Sequence, residues 1–332
     1  MLSTALTRRL GIVHPIIQAG MGAEAGPALA AAVSNAGGLG TLGTIGTPPE
    51  VVRAAIRKVG ELTQRPFSVN LVTFDWAPFA PHILEVVLEE QVPIVTLSFG
   101  APLEALERCR AAGLQAIVQV QHLEGAKEAI AAGPDALIVQ GSEAGGHSGR
   151  RGTLSFAAQV LDLAGDLPVV IAGGVANGRG LAAALAMGAT GVVMGTRFKA
   201  TNEFVGSATQ KERIVRSDGS NTVADEVLDI AYGLEWPSYV LGRALTSDFT
   251  AEWLGRNEEL RDVVAKQPMF AFAQKLAQSP ATEVNWAGES SGLIDEILPA
   301  AEVVRRTVDD AERHLKDVAR LLEANAANGG RA

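Results

Sequence analysis

His147 ends the run Gln140-Gly-Ser-Glu-Ala-Gly-Gly-His. An imidazole presented from a glycine-rich turn can take or supply a proton near neutral pH. The glycines before it, Gly145 and Gly146, let the backbone approach a planar ring. A second signal lies in Ile171-Ala-Gly-Gly-Val-Ala-Asn-Gly-Arg and, further on, Val192-Val-Met-Gly-Thr-Arg-Phe. Each puts glycine (Gly173 and Gly174, then Gly195 before Thr196) at the C-terminal end of an apolar run. A bare backbone there lets amide N–H groups close on phosphate oxygens. Such a site serves a sugar phosphate, a nucleotide or a flavin. Gln18, Asn70, Gln119 and Gln140 are uncharged amides at the ends of other apolar runs. Singly, each reads as a capping or turn residue. Clustered, they offer the donors and acceptors that suit a flavin ring and its ribityl chain.

Those residues need a scaffold that brings strand ends together. From the N-terminus to about residue 200, short β-type runs alternate with alanine-rich helical segments, the pattern of βα units around a parallel sheet. The candidate strands are 14–19, 38–43, 67–72, 94–98, 115–120, 136–139, 169–172 and 191–194, the number a closed barrel requires. Runs such as Val-Val-Ile-Ala and Gly-Val-Val-Met are continuously apolar, as in strands buried on both faces. An open doubly wound sheet shows the same alternation. Polar or glycine residues after nearly every strand favour the barrel, whose strand ends converge on one mouth. Phosphate sites in barrels commonly form from the loops after strands seven and eight, where the two glycine motifs fall.

The organisation expected is therefore a TIM (β/α)8 barrel over 1–202, with a small helical substrate subdomain inserted after the last strand over 203–285. A segment over 286–325 returns to the barrel, and a disordered tail follows over 326–332. Residues 203–285 show no convincing buried strand but do show charged amphipathic stretches such as 251–266. The segment 297–322 has helical spacing and reads as the last barrel helix.

Composition excludes several function classes. The chain has 332 residues, 47% of them hydrophobic, and a net charge of −9. That charge disfavours a nucleic-acid partner, and an anionic ligand must be held by local geometry rather than by the overall field. No apolar run reaches the ~20 residues of a spanning helix, and the N-terminus lacks a signal peptide's apolar region; the reading is cytoplasmic, with no membrane role. Cys109 can form no internal disulfide and reads as structural. No His or Cys pair has a ligand spacing, so no metal is expected. His14, His82, His122 and His314 read as structural. Gly173-Gly-Val-Ala-Asn-Gly lacks the Gly-x-Gly start of a dinucleotide fingerprint.

Pro15-Ile-Ile-Gln-Ala-Gly-Met-Gly, Asn35-Ala-Gly-Gly-Leu-Gly, Phe67-Ser-Val-Asn-Leu, the Glu143-Ala-Gly-Gly-His loop, Ala172-Gly-Gly-Val and Met194-Gly-Thr-Arg-Phe together resemble the nitronate monooxygenase family, formerly 2-nitropropane dioxygenases. The resemblance implies a TIM barrel with noncovalent FMN. By it Gly20, Met21, Gly22, Asn70, Gln119, Gln140, Gly145, Gly146, Gly173, Gly174, Gly195 and Thr196 would contact FMN, and His147 would be the catalytic base beside the substrate. The reaction implied is oxidation of an alkyl nitronate or nitroalkane by O2 to a carbonyl compound and nitrite. The sequence departs from the family at Gly20, where proline is common. The same barrel and Gly-Gly-His loop look like those of FMN-dependent enoyl-ACP reductases and NADH:quinone reductases. An NAD(P)H-dependent reductase of quinones or enoyl thioesters is thus the main alternative, and a noncatalytic flavin-binding protein the second. Arg150, Arg151, Arg197 and Lys199 offer either anion contacts for a nucleotide or acyl carrier, or solvated charges at the mouth rim. Trp236, Tyr239 and Leu241 read as pocket lining or as a homodimer contact.

Overall fold

The computed structural model describes residues 2–328 apart from 75, 76, 78 and 269. Eight parallel strands form the barrel: β1 (Ile16–Gln18), β2 (Gly40–Gly43), β3 (Phe67–Val72), β4 (Ile94–Ser98), β5 (Gln115–Val120), β6 (Ala136–Gln140), β8 (Val169–Ala172) and β9 (Gly191–Met194). A short strand outside it, β7 (Gly146–Gly149), follows β6. The strand order is β1-β9-β8-β6-β5-β4-β3-β2, and a parallel bridge from Ile17 to Leu39 closes the ring between β1 and β2. The architecture is the expected (β/α)8 barrel, and its eight strands are the eight apolar runs, trimmed or extended by a residue or two at β1, β2 and β6.

Side chains alternate about each strand, so the barrel has an inner and an outer core. Inward-facing Ile17, Ile94, Ile117, Ile138, Val170 and Val193 fill the barrel. Leu6 and Leu10, from the helix Ala5–Leu10, join that inner cluster. Thr4 Oγ1 donates to Thr190 O at 2.7 Å and Gln115 Nε2 to Arg9 O at 2.6 Å, fixing this helix at the N-terminal ends of the strands. It closes that end of the barrel, and the C-terminal end is left as the mouth. Outward-facing residues such as Val69, Leu97, Val118 and Val139 pack with Phe156, Val160 and Leu181 from the helical ring.

The helix Ala300–Asn328 packs through Val304, Val308 and Ala311 against the helix Gly178–Ala186, filling the last position of the ring. It runs into the stretch expected to be a tail, and residues 329–332 lie outside the described residues. Among the described residues no helix is long and apolar enough to cross a membrane.

Residues 203–285 differ from the purely helical expectation. The helices are there, among them Ala208–Val215, Asp248–Trp253 and Asn257–Val264, the last two separated by Gly255 at φ +78°. Between them run two strands, β10 (Thr222–Ala224) and β11 (Val240–Leu245). β11 pairs antiparallel with β10 on one side and with β7 on the other. The physical reason for the difference is the partner: β7 reads Gly-His-Ser-Gly and has little intrinsic strand preference. Val227, Leu228, Phe249, Leu260 and Val264 form this region's own apolar core.

Phe156 is fully buried between helix and barrel, so Phe156→Ala is expected to lower unfolding stability by about 3–5 kcal/mol. Urea unfolding followed by circular dichroism measures this; a loss below about 1 kcal/mol would mean that the site collapses without a cavity.

Candidate active site

The mouth holds a cavity of about 570 Å³, and each loop singled out from the sequence reaches it. Gly20, Met21 and Gly22 border it after β1, and Gly173, Gly174, Gly195 and Thr196 border it after β8 and β9. Asn70, Gln119 and Gln140 border it from β3, β5 and β6. Gly145, Gly146 and His147 reach it from the loop after β6 and from β7.

The amides form a directional chain across neighbouring strand ends. Asn70 Nδ2 donates to Ser98 Oγ at 2.7 Å, Ser98 Oγ to Gln119 Oε1 at 3.3 Å, and Gln119 Nε2 to Gln140 Oε1 at 2.8 Å. Gln121 Nε2 donates to the same Gln140 oxygen at 3.3 Å. With its oxygen occupied twice, Gln140 keeps its amide nitrogen as the donor toward the cavity. Ser98 and Gln121, which complete the chain, carry no motif of their own. Gln18 differs from its sequence reading: fully buried, it accepts from Thr41 N at 2.9 Å and donates to Thr41 O at 3.1 Å, tying β1 to β2. The departure at Gly20 has a steric cause, since a Cβ there would lie 2.5 Å from Asn70 Cβ.

At the phosphate-type loops, Gly173 and Gly174 have φ of +103° and +75°, a conformation that side chains disfavour. Thr196 Oγ1 accepts from Gly288 N at 3.0 Å and so keeps its hydroxyl proton to donate. Gly145 answers to packing: a Cβ there would stand 2.4 Å from Gly288 N, whereas one at Gly146 would meet nothing within 4 Å. Glu143 accepts from Thr153 N at 2.8 Å and caps the next helix.

His147 is built into β7 opposite Gly242 of β11. Its Nε2 lies 2.5 Å from Oδ1 of Asp229, a buried carboxylate on the short helix Val227–Ile230. A carboxylate only accepts, so the shared proton sits on Nε2 in the neutral ring and Nδ1 carries the lone pair that can take a proton. Trp236 stacks on the imidazole with centroids 3.7 Å apart and planes 12° from parallel, and Trp286 lies tilted against it at 5.0 Å. Trp236 in turn meets the rings of Phe74 and Phe99 edge-on. The sequence motifs missed Asp229, Trp236 as a stacking partner, and Trp286. Asp229 lies far along the chain from His147, in a stretch that reads as an ordinary helix.

The four cations read as a mouth rim do not form one. Arg197 is buried and donates to Ala200 O and Glu296 O, and Lys199 is buried and donates to Asn285 Oδ1 and Trp286 O. Arg150 donates to Ser238 O and Arg151 to Gln159 Oε1. Burial pushes the Lys199 ammonium below its ordinary pKa, opposed by Glu24 and Glu283. Burial likewise raises the Cys109 thiol to about 11, which keeps it protonated and inert.

A parallel barrel with amides across its strand ends, glycine loops after its last two strands and an imidazole–carboxylate pair at its mouth is a (β/α)8 oxidoreductase scaffold. The family model "Nitronate monooxygenase" matches residues 3–81 and 78–310, and the chain belongs to that flavin-dependent family. A nitronate monooxygenase of Pseudomonas aeruginosa is 33% identical, the match covering 93% of this chain and 99% of the relative. A (3aS,4S,5R,7aS)-5-hydroxy-7a-methyl-1-oxo-octahydro-1H-indene-4-carboxyl-CoA dehydrogenase of Rhodococcus jostii is 42% identical over 68% of this chain, a match that spans 64% of that relative. Among solved structures, FabK from Thermotoga maritima superposes with a TM-score of 0.85 and 31% identity, covering 97% of this chain and all of that one.

Asp229→Asn is expected to keep the fold while lowering the rate of any step that uses His147 as base by about tenfold or more, part of the about 10²–10⁴-fold that general-base catalysis contributes. The amide can offer Nε2 an N–H and so stabilise the wrong tautomer. Single-turnover kinetics read the effect, and an unchanged rate would separate Asp229 from the proton transfer.

Proposed function

We propose that this chain is an FMN-dependent enzyme that oxidises alkyl nitronates, and the nitroalkanes from which they form, with O2 to carbonyl compounds and nitrite. The observation that carries the reading is the convergence of the phosphate-type loops, the amide chain and the His147–Asp229 pair on one cavity. The donor set fits FMN: backbone N–H groups at Gly173, Gly174, Gly195 and Thr196 for the phosphate, and Asn70, Gln119 and Gln140 for the polar edge of the ring. Gly20, Met21, Gly22, Gly145 and Gly146 would line the ring's faces. FMN would supply the electron acceptor and the site of reoxidation by O2.

The chain's own residues do the rest. His147 Nδ1 takes the α-proton of a neutral nitroalkane, and Asp229 holds the ring in the required tautomer and stabilises the imidazolium that forms. For a substrate already ionised, the same imidazole orients the anion. Trp236 and Trp286 pack against the imidazole and hold its plane.

A second reading rests on the indene-4-carboxyl-CoA dehydrogenase of Rhodococcus jostii, at 42% identity over 68% of this chain. A C–H beside a thioester carbonyl is acidic for the same reason as one beside a nitro group, so the base need not change between the two substrates. Anaerobic mixing of the holoenzyme with propyl-2-nitronate, an acyl-CoA, or NAD(P)H, each alone, decides between them. Flavin bleaching by the nitronate, with nitrite released on admitting air, is the expected result; bleaching by acyl-CoA or by NAD(P)H alone would move the enzyme to the dehydrogenase or reductase reading.

Two variants test the residue roles. His147→Ala is expected to purify yellow but to lose about 10²-fold or more in turnover of a neutral nitroalkane; unchanged turnover would rule out the base role. Gly195→Val is expected to purify largely free of flavin. Its backbone is not left-handed and a Cβ would make only ordinary contacts at 3.5 and 3.7 Å, so steric exclusion of a phosphate is tested without strain. Full occupancy, read by absorbance after purification, would contradict the phosphate assignment, and mass analysis of the released flavin distinguishes FMN from FAD.

A further inference from the structure

Among the described residues that border the cavity there is one lysine or arginine, Lys199. It stands at the end of the short helix Thr196–Lys199 after β9, with its side chain 4% exposed. An ammonium has three N–H donors. Two make hydrogen bonds, to Asn285 Oδ1 at 3.1 Å and Trp286 O at 3.0 Å, and Nζ also lies over the Phe204 ring, 5.3 Å from its centroid. The nearest carboxylate oxygen, Glu24 Oε2, is 3.9 Å away, outside hydrogen-bond distance. Glu24 also borders the cavity and is part-exposed.

The structural alternative is a strut, in which Lys199 joins the helix after β9 to the 285–286 strand of chain. That role is met by the two hydrogen bonds alone and needs no charge. An uncharged side chain would make them without the cost of burying an ammonium, which runs to several kcal/mol unless it is paired. Glu24 at 3.9 Å and the face of the Phe204 ring, 5.3 Å from Nζ, compensate that cost only in part, and the third donor has no hydrogen-bond acceptor among the described residues, beside a cavity of about 570 Å³. The protein as a whole carries −9, and Asp229 and Glu24 add negative charge at the cavity wall. An anionic substrate therefore needs a local cation to enter.

We propose that Lys199 is the specificity-determining residue for a small planar oxyanion, its free N–H taking one oxygen of the substrate's anionic group. The oxyanion completes the third hydrogen bond and adds the compensating charge that Glu24 supplies only from a distance. His147 and Lys199 then divide the work: the imidazole serves the carbon that loses or has lost its proton, and the ammonium serves the oxygens. The assignment of that group as a nitro-derived anion rests on the proposed function; selection for a planar oxyanion does not.

The test uses the flavin-loaded enzyme and nitrate, an unreactive planar anion, followed by perturbation of the flavin absorbance. Lys199→Gln keeps an N–H donor group, one bond shorter, and removes the charge, and Lys199→Arg keeps the charge. The expected result is that the dissociation constant for nitrate rises tenfold or more in Lys199→Gln and much less in Lys199→Arg. In parallel, the ratio of kcat/KM for propyl-2-nitronate to that for neutral 2-nitropropane falls tenfold or more in Lys199→Gln. Equal nitrate binding by wild type and Lys199→Gln would overturn the proposal, as would equal losses in both variants, which mark a strut, or loss of flavin from Lys199→Gln alone, which marks a cofactor contact. If wild type binds nitrate through Lys199 but no nitro compound reduces it, the nitronate reading fails and the oxyanion site stands.

Discussion

The antiparallel pairing of β7 with β11 is the interaction on which the site depends. β7 is only Gly146–Gly149, a piece of the loop that leaves the sixth barrel strand, and it becomes a strand because β11 supplies the other half of its hydrogen bonds. Pairing fixes the face on which His147 projects, because a register slip of one residue would turn it to the other side of the sheet. It also fixes the distance to Asp229, which sits on the element leading into β11. The barrel thus provides the mouth and the amides, while the imidazole–carboxylate pair forms only where barrel and inserted segment share a sheet.

Much of the barrel is legible in the sequence because its strands are buried on both faces. Runs such as Val169–Ala172 and Gly191–Met194 admit no polar side chain until the strand ends, so the change from apolar to glycine or amide marks the mouth directly. The glycine loops and His147 are legible for the same reason: their chemistry stands at the end of a strongly patterned element. β10 and β11 are less so. Val240–Leu245 reads Val-Leu-Gly-Arg-Ala-Leu, with a glycine and an arginine in its centre, and one of its two partners, β7, has no apolar side chain. Arg243 earns its place through contacts that local pattern cannot reveal, donating to Ser142 O and Thr222 Oγ1.

Residues that act through partners distant in the chain form the other gap. Asp229 becomes a site residue only through His147, and Ser98 only through Asn70 and Gln119. Gln18 shows the converse: the same residue type at an equivalent strand end spends its amide on the β1–β2 seam, where the barrel closes by a single bridge. Residue type and position along a strand select the candidates. The direction in which each amide faces is set by neighbours on adjacent strands, and those are fixed by register.

Because His147 lies on a strand that the inserted segment completes, the imidazole and the wall around it are not structurally separable. A chimera that exchanged 203–285 for the equivalent piece of a relative would replace Asp229, Trp236 and β11 in one stroke, and with them the hydrogen-bond and stacking partners of the imidazole. Recombination within such a scaffold is therefore constrained to move the whole pocket wall as a unit. Reshaping of the pocket then proceeds by point changes inside that unit, each of which must leave the β7–β11 pairing in place.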